Sequence, residues 1–180
     1  MKNVLPCAGL VLLLATTGST CINDEIVVPV NVGPILASFP INPGPQTTFS
    51  GLITMRLDSL IDASYLGSIK GAQVYDIKVY VTGDYPSGTI NTTTLAVNLK
   101  PLMTFSGSWA AFKTPQSVLG GSTLIATNAA GLNELISILT NGTSSTAFTL
   151  AAAGSVTPGP VPEGLKVNIE LYMQINTDVK

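Results

Sequence analysis

The chain contains no histidine in its 180 residues. Imidazole is the general base of Ser-His-Asp and Cys-His catalysis and the commonest zinc ligand, so both chemistries lose their main reagent. Cysteine is almost as scarce, with Cys7 and Cys21 alone. Cys7 falls inside an apolar opening run, so removal of that run would leave one thiol and no internal disulfide. Charge is thin as well: 8 Lys and Arg stand against 10 Asp and Glu, for a net charge of −2. The lysines are scattered singly, and a phosphate backbone needs clustered cations, so nucleic acid is not an expected partner. No Asp/Asn cluster of the D-x-D-x-D kind is present to gather oxygen ligands around a hard cation. Gly120-Gly121-Ser122-Thr123 lacks the lysine of a phosphate-binding loop and reads as a turn. The expectation is therefore no catalytic residues, no metal and no cofactor.

What the chain does contain is apolar. Hydrophobic residues make up 46% and mean hydropathy is +0.44. With so few charges, the wet surface must be built from Thr, Ser, Asn, Gln and Gly. Such a surface repels its neighbours weakly, so self-association is expected to be open to it.

The first residues carry an address. Met1-Lys2-Asn3 is followed by a mostly apolar stretch to Ala15, and then by Thr16-Thr17-Gly18-Ser19-Thr20-Cys21. A basic start, a short apolar run and a small-residue exit form the secretory pattern. The run is too short to cross a bilayer, which takes about 20 apolar residues. Leu12-Leu13-Leu14, Gly18-Ser19-Thr20 and Cys21 together resemble a bacterial lipoprotein signal over roughly residues 1–25. Gly18 stands where that family usually has Leu, and Thr20 where it usually has Gly, Ala or Ser. The resemblance implies a signal peptide over residues 1–20 and lipidation of Cys21. It also implies a stable multi-chain anchor in the cell envelope, at the outer membrane. Ordinary cleavage near Ala15–Ser19, without lipid, is the alternative and would make the protein secreted.

Residues 21–46 hold a β-like run, Glu25 to Val32, and then Pro34, Pro40, Pro43 and Pro45. Proline cannot donate to a ladder, so this stretch reads as a lipid-anchored tether or an edge strand. From residue 47 to 180 the pattern is that of a mainly β domain. Period-two alternation and turn signals predict an antiparallel β-sandwich of about seven strands with one or two short helices. Val74–Val81 and Thr89–Leu99, flanking a Gly-Asp-Tyr-Pro-Ser-Gly loop, read as a hairpin. Its first strand has Tyr75, Ile77, Val79 and Val81 on one face and Asp76 and Lys78 on the other. Leu57, Leu60 and Ile61 suggest a helix of two or three turns, and Trp109 a strand. Leu132, Leu135, Ile136 and Leu139 mark a helix with Asn128 as N-cap and Asn141-Gly142 as a left-handed stop. The most regular run alternates Leu165, Val167, Ile169, Leu171, Met173 and Ile175 with polar residues, and belongs inside a sheet with a neighbour on each side.

Two groups of side chains are worth following as sites. Asp58 and Asp62, four apart, would share a helix face, and Asp76 with Asp84 forms the other carboxylate pair; ordinary surface charge is the simpler account of both. Tyr80 and Tyr172 fall on the polar phase of their strands and would form an exposed ring platform for sugars if those strands are neighbours. The function expected is that of an exported, lipid-anchored envelope protein with a non-catalytic structural or binding role. Its partners would be the membrane through its lipid, and an envelope protein or a glycan. One alternative is an adhesin or filament subunit that lends the strand at Glu25–Val32 to a neighbour's sheet. Another is a carbohydrate-binding module.

Overall fold

A computed structural model describes residues 26–40, 47–84, 87–157 and 163–179. The expected signal peptide and Cys21 lie outside the described residues. Nine strands run in chain order: β1 (Ile26–Pro40), β2 (Thr48–Arg56), β3 (Ile69–Thr82), β4 (Thr89–Val97), β5 (Lys100–Ser108), β6 (Gln116–Ser117), β7 (Ile125–Thr127), β8 (Ala147–Thr157) and β9 (Lys166–Val179). They form a four-stranded sheet in the order β1-β9-β3-β6 and a five-stranded sheet in the order β2-β8-β4-β5-β7. Every neighbouring pair is antiparallel. The fold is mainly β, as its alternation predicts. With the three-residue β7 set aside, the remaining eight strands follow the double Greek key of a jelly roll.

Alternation builds this arrangement from the inside. β9 turns Val167, Ile169, Leu171, Met173 and Ile175 inward, all fully buried. Leu150, Ala152 and Phe148 of β8 come from the facing sheet, and Leu95 and Val97 of β4 join them in one core. Burying a side chain of this size contributes about 1.5–3 kcal/mol. β9 lies between β1 and β3 and pairs with both along its length, so its two polar-facing edges are satisfied.

The chain from Ile26 to Pro40 forms β1, an edge strand of the four-stranded sheet. Under the filament reading this strand would complete a neighbour's sheet; here it completes its own, against β9. The hairpin expected between β3 and β4 is not formed. β3 pairs with β9 and β6, whereas β4 pairs with β8 and β5, so the loop between them crosses from one sheet to the other. Both strands are one-faced, and their apolar faces meet across the core instead of lying side by side. Gly83 allows this crossing: its φ is +129°, and a Cβ there would press on the backbone of Gly164 and Leu165.

The helical content also differs from expectation in its detail. The stretch at Leu57 is a three-residue 3-10 turn that buries Leu57. Trp109 is on a short helix, α1 (Trp109–Phe112), and not on a strand; the Ser108 hydroxyl accepts from Ala111 N at its start. The long helix α2 (Ala129–Asn141) starts as expected, with Asn128 Oδ1 accepting from Ala130 N at 2.9 Å. Its end is not left-handed, because Gly142 has φ −76° and ψ 158°. Glycine is needed there for room: a Cβ would run into Leu57 and the Ile138 carbonyl. α2 packs on β3 and β5 and closes one long side of the sandwich, while β1 and β2 lie together on the other.

Candidate functional site

The outer face of the four-stranded sheet gathers most of the reactive side chains. β3 and β9 are neighbours, and Lys78 stands directly opposite Glu170. Tyr172, two positions along β9, donates its phenol hydrogen to Glu170 Oε2 at 2.7 Å. Lys78 Nζ donates to the same phenol oxygen at 3.2 Å and lies 4.5 Å from the ring centroid. That hydrogen bond is the main reason the Lys78 ammonium is held above its ordinary pKa, with the charges of Asp76 and Glu170 adding to it. Burial above all, then the negative charge of Glu170, raises the Tyr80 phenol. The Glu170 carboxylate thus binds Tyr172 and acts on Tyr80 through its charge.

The expected pair of Tyr80 and Tyr172 is on neighbouring strands, but the two are not directly opposite. Tyr80 faces Asn168, and Tyr172 faces Asp76. Both rings are half-buried and both phenols are engaged. The ring that meets Tyr172 is Tyr75, at 6.1 Å between centroids and tilted by 52°. Tyr75 was expected inside and is 41% exposed, the most open aromatic of this surface. The cause is a register shift between Val74 and Asp76 on β3, which inserts an extra residue and resets the alternation.

Asp76, next to the bulge, stays on the outer face opposite Tyr172 but is not a free surface charge. The sequence places it on the wet face as a surface charge, yet it is only 6% exposed. Its carboxylate accepts from Ser117 Oγ at 2.9 and 3.0 Å and from Leu119 N at 3.0 Å. Asp76 therefore pins β6 and the following turn to β3. Asp58 and Asp62 do not make a pair either. Asp58 binds Arg56 at 2.6 Å, and Asp62 accepts from Ser64 N at 2.9 Å, which lowers its pKa. Asp84 lies in the exposed loop after β3. Among the described residues no group of three His, Cys, Asp or Glu side chains could hold a metal ion.

A second concave feature lies where β1 starts. A cleft of about 510 Å³ is lined by Val28, Val30, Tyr65, Leu66, Thr177 and Asp178, among others. Asp178 Oδ2 pairs with Lys70 at 2.8 Å, and its other oxygen is buried with no hydrogen-bond partner among the described residues. Sequence reading passed over this cleft, because nothing in the spacing of Val28, Tyr65 and Asp178 shows that they meet.

The tyrosine surface presents one open ring, Tyr75, beside an ammonium and a carboxylate that both bond to Tyr172. Such a combination suits a flat hydroxylated ligand, whose apolar face stacks while its hydroxyls bond.

No family model matches the chain. No curated protein matches it. Among solved structures, it is similar at 10% identity and a TM-score of 0.35 to one from Desmodium yellow mottle tymovirus, covering 100% of this chain and 97% of that one. It is similar at 13% identity and a TM-score of 0.42 to the decameric BFDV capsid protein, covering 83% of this chain and 99% of that one. The fold assignment above rests on the strand order and not on these likenesses.

Proposed function

We propose that this protein is exported, is held at the outer membrane by lipid on Cys21, and acts in the cell envelope as a non-catalytic structural or binding domain. The leader supports this reading, with Met1-Lys2-Asn3, the apolar run to Ala15 and Gly18-Ser19-Thr20-Cys21, and residues 22–25 separate Cys21 from the first strand. At ~3.3–3.6 Å per extended residue, the link from Cys21 to Ile26 reaches about 18 Å at most. A lipid on Cys21 would hold the sandwich close against the bilayer, with the end that bears the Val28–Asp178 cleft nearest to it. The tyrosine surface runs along the sheet away from that end and stays open to a partner. Mass spectrometry of the processed N-terminus, with palmitate labelling, tests the anchor. An acylated Cys21 as residue one is expected. A free N-terminus upstream of Cys21 would replace the anchor with plain secretion, and an intact unprocessed chain would end the export reading.

A second reading is favoured by the 41% exposure of Tyr75 beside Tyr172. The outer face of β3 and β9 would be a carbohydrate-binding surface. Glycan-array binding should then be lost in Tyr75→Ala and weakened in Tyr172→Ala. Binding that survives both changes, or no binding in the parent, would remove this reading.

A further inference from the structure

We propose that two copies of this chain join edge to edge through β2, antiparallel, about a two-fold axis passing by Leu52. The inference goes beyond the function proposed above and holds for an anchored or a secreted protein alike.

The direction of the backbone groups comes first. Leu57 N donates to Thr146 O at 3.0 Å, and Val156 N donates to Thr47 O at 2.7 Å. Both pairs continue the β2–β8 register, in which Thr48 faces Ser155 and Arg56 faces Ala147. Odd-numbered residues of β2 therefore exchange hydrogen bonds with β8. In an antiparallel ladder the intervening residues point their N–H and C=O the other way. Those residues are Thr48, Ser50, Leu52 and Thr54, and among the described residues no strand lies on that side. Arg56 shares the direction, but its carbonyl accepts from Ser59 Oγ.

β2 is also the edge that lacks protection. Long strands at a sheet edge are ordinarily blunted by proline, bulges, charge or covering elements. β1, the edge of the other sheet on this side, contains Pro29, Pro34 and Pro40 and a register shift after Val32. On the far side β6 has two residues and β7 three, and α2 packs alongside. β2 runs nine residues with no proline and no register shift. Its only charge is Arg56 at the end, already paired with Asp58. At its midpoint Leu52 is 65% exposed.

The strand is complementary to itself, which selects a second copy as the occupant. With Leu52 opposite Leu52, Gly51 meets Ile53 and Phe49 meets Met55 on the core side. Ser50 meets Thr54 and Thr48 meets Arg56 on the outer side. Apolar groups face apolar groups, hydroxyls face hydroxyls, and no like charges are opposed. The half-buried Ile53 and Met55 would gain cover, and the product is one continuous sheet with an isologous interface.

The test uses the processed full-length protein in sedimentation and in cross-linking. The parent should sediment at twice the chain mass. Thr54→Pro removes an N–H that points away from β8, so the sandwich keeps its own ladder while the dimer is lost. Leu52→Lys sets two ammonium groups opposite each other and should also yield monomers, with unchanged circular dichroism. In a hydrogen-bonded antiparallel pair the Cα atoms stand about 5.5 Å apart, within reach of a short bis-maleimide. Leu52→Cys should therefore cross-link two chains with that reagent, and Ser50→Cys, displaced from the axis, should not. A monomeric parent, a Thr54→Pro variant that remains dimeric, or equal cross-linking at both positions would each overturn the proposal.

Discussion

The four-stranded sheet turns Tyr75, Lys78, Tyr80, Glu170 and Tyr172 outward, while the five-stranded sheet turns out Thr94, Ala96, Thr149, Ala151 and Ala153. Inside, the two are equivalent: Leu171 and Leu150 are both fully buried in the same core. One sheet thus presents rings and charges, and the other presents mostly small, uncharged residues. The jelly roll supplies two sheets around one core, and the outward-facing half of each alternation decides what each sheet presents.

The largest expected effect tests whether the insides are as equivalent as they look. Leu171→Ala in β9 and Leu150→Ala in β8 should each cost about 2–5 kcal/mol in denaturant unfolding, since each leaves a cavity in a closed core. Tyr172→Ala, one position from Leu171 but outward-facing, should cost far less. A small loss for either leucine would show that its sheet is not part of a shared core.

The next effect concerns Asp76, beside the β3 bulge of the four-stranded sheet. Asp76→Ala leaves Leu119 N and the Ser117 hydroxyl without their acceptor. The cost should be about 1–3 kcal/mol for groups buried without a partner. Asp84→Ala, in the exposed loop after β3, should be close to neutral by the same measurement. Equal costs would mean that Asp76 is the surface charge its sequence position suggests.

That comparison also shows what the sequence can and cannot reveal. The alternation of β9 states which side chains face inward, and the structure has them there. Asn128 announces the start of α2 because its capping chemistry is local. The partner of β3 is not local information: period two assigns a face, not a neighbour, so the supposed hairpin with β4 reads the same as two strands in opposite sheets. Nor does the stretch Val74-Tyr75-Asp76-Ile77 betray its bulge. Tyr75 inward is the better pattern on paper, and the extra residue turns it out, while Asp76 keeps the outer face opposite Tyr172 and is covered there by Ser117 and Leu119. For the candidate site, the residue types and the outward phase of Tyr80 and Tyr172 were readable, but the adjacency of β3 and β9 was not. The exchange of Tyr80 for Tyr75 as the companion ring of Tyr172 followed from the bulge and was not.

A smaller effect, of opposite sign, belongs to the five-stranded sheet. The β4–β5 turn places Asn98 at φ +46° and Leu99 at φ +68°. A two-residue hairpin turn with both φ values positive favours Asn-Gly, and here a leucine, 87% exposed, sits in the second position. Leu99→Gly should stabilise the protein by roughly 1 kcal/mol by relieving the left-handed strain. A lower melting temperature would mean that the Leu99 side chain contributes more than its exposure suggests.

The smallest effect sits where that turn meets α2. Lys100 Nζ donates to Glu134 Oε2 at 2.5 Å, and Asn98 Nδ2 donates to Glu134 Oε1 at 3.1 Å. These two bonds, that of Lys100 first, lower the Glu134 pKa. A carboxyl whose folded pKa lies below its unfolded value adds stability above the unfolded value and loses it as pH falls through the folded one. The contribution should therefore be complete above the ordinary glutamate value of about 4.3 and should fade below it. Glu134→Gln removes the charge at every pH, so its melting temperature should lie slightly below the parent's at neutral pH and converge with it in acid. Lys100→Met should flatten the acid dependence in the same way. Asp76 ties the bulge on one sheet through hydrogen bonds it accepts in a buried site, whereas Glu134 ties α2 to the other sheet at the surface, where salt screens the pair. Added salt should accordingly shrink the Glu134→Gln difference and leave the Asp76→Ala difference in place.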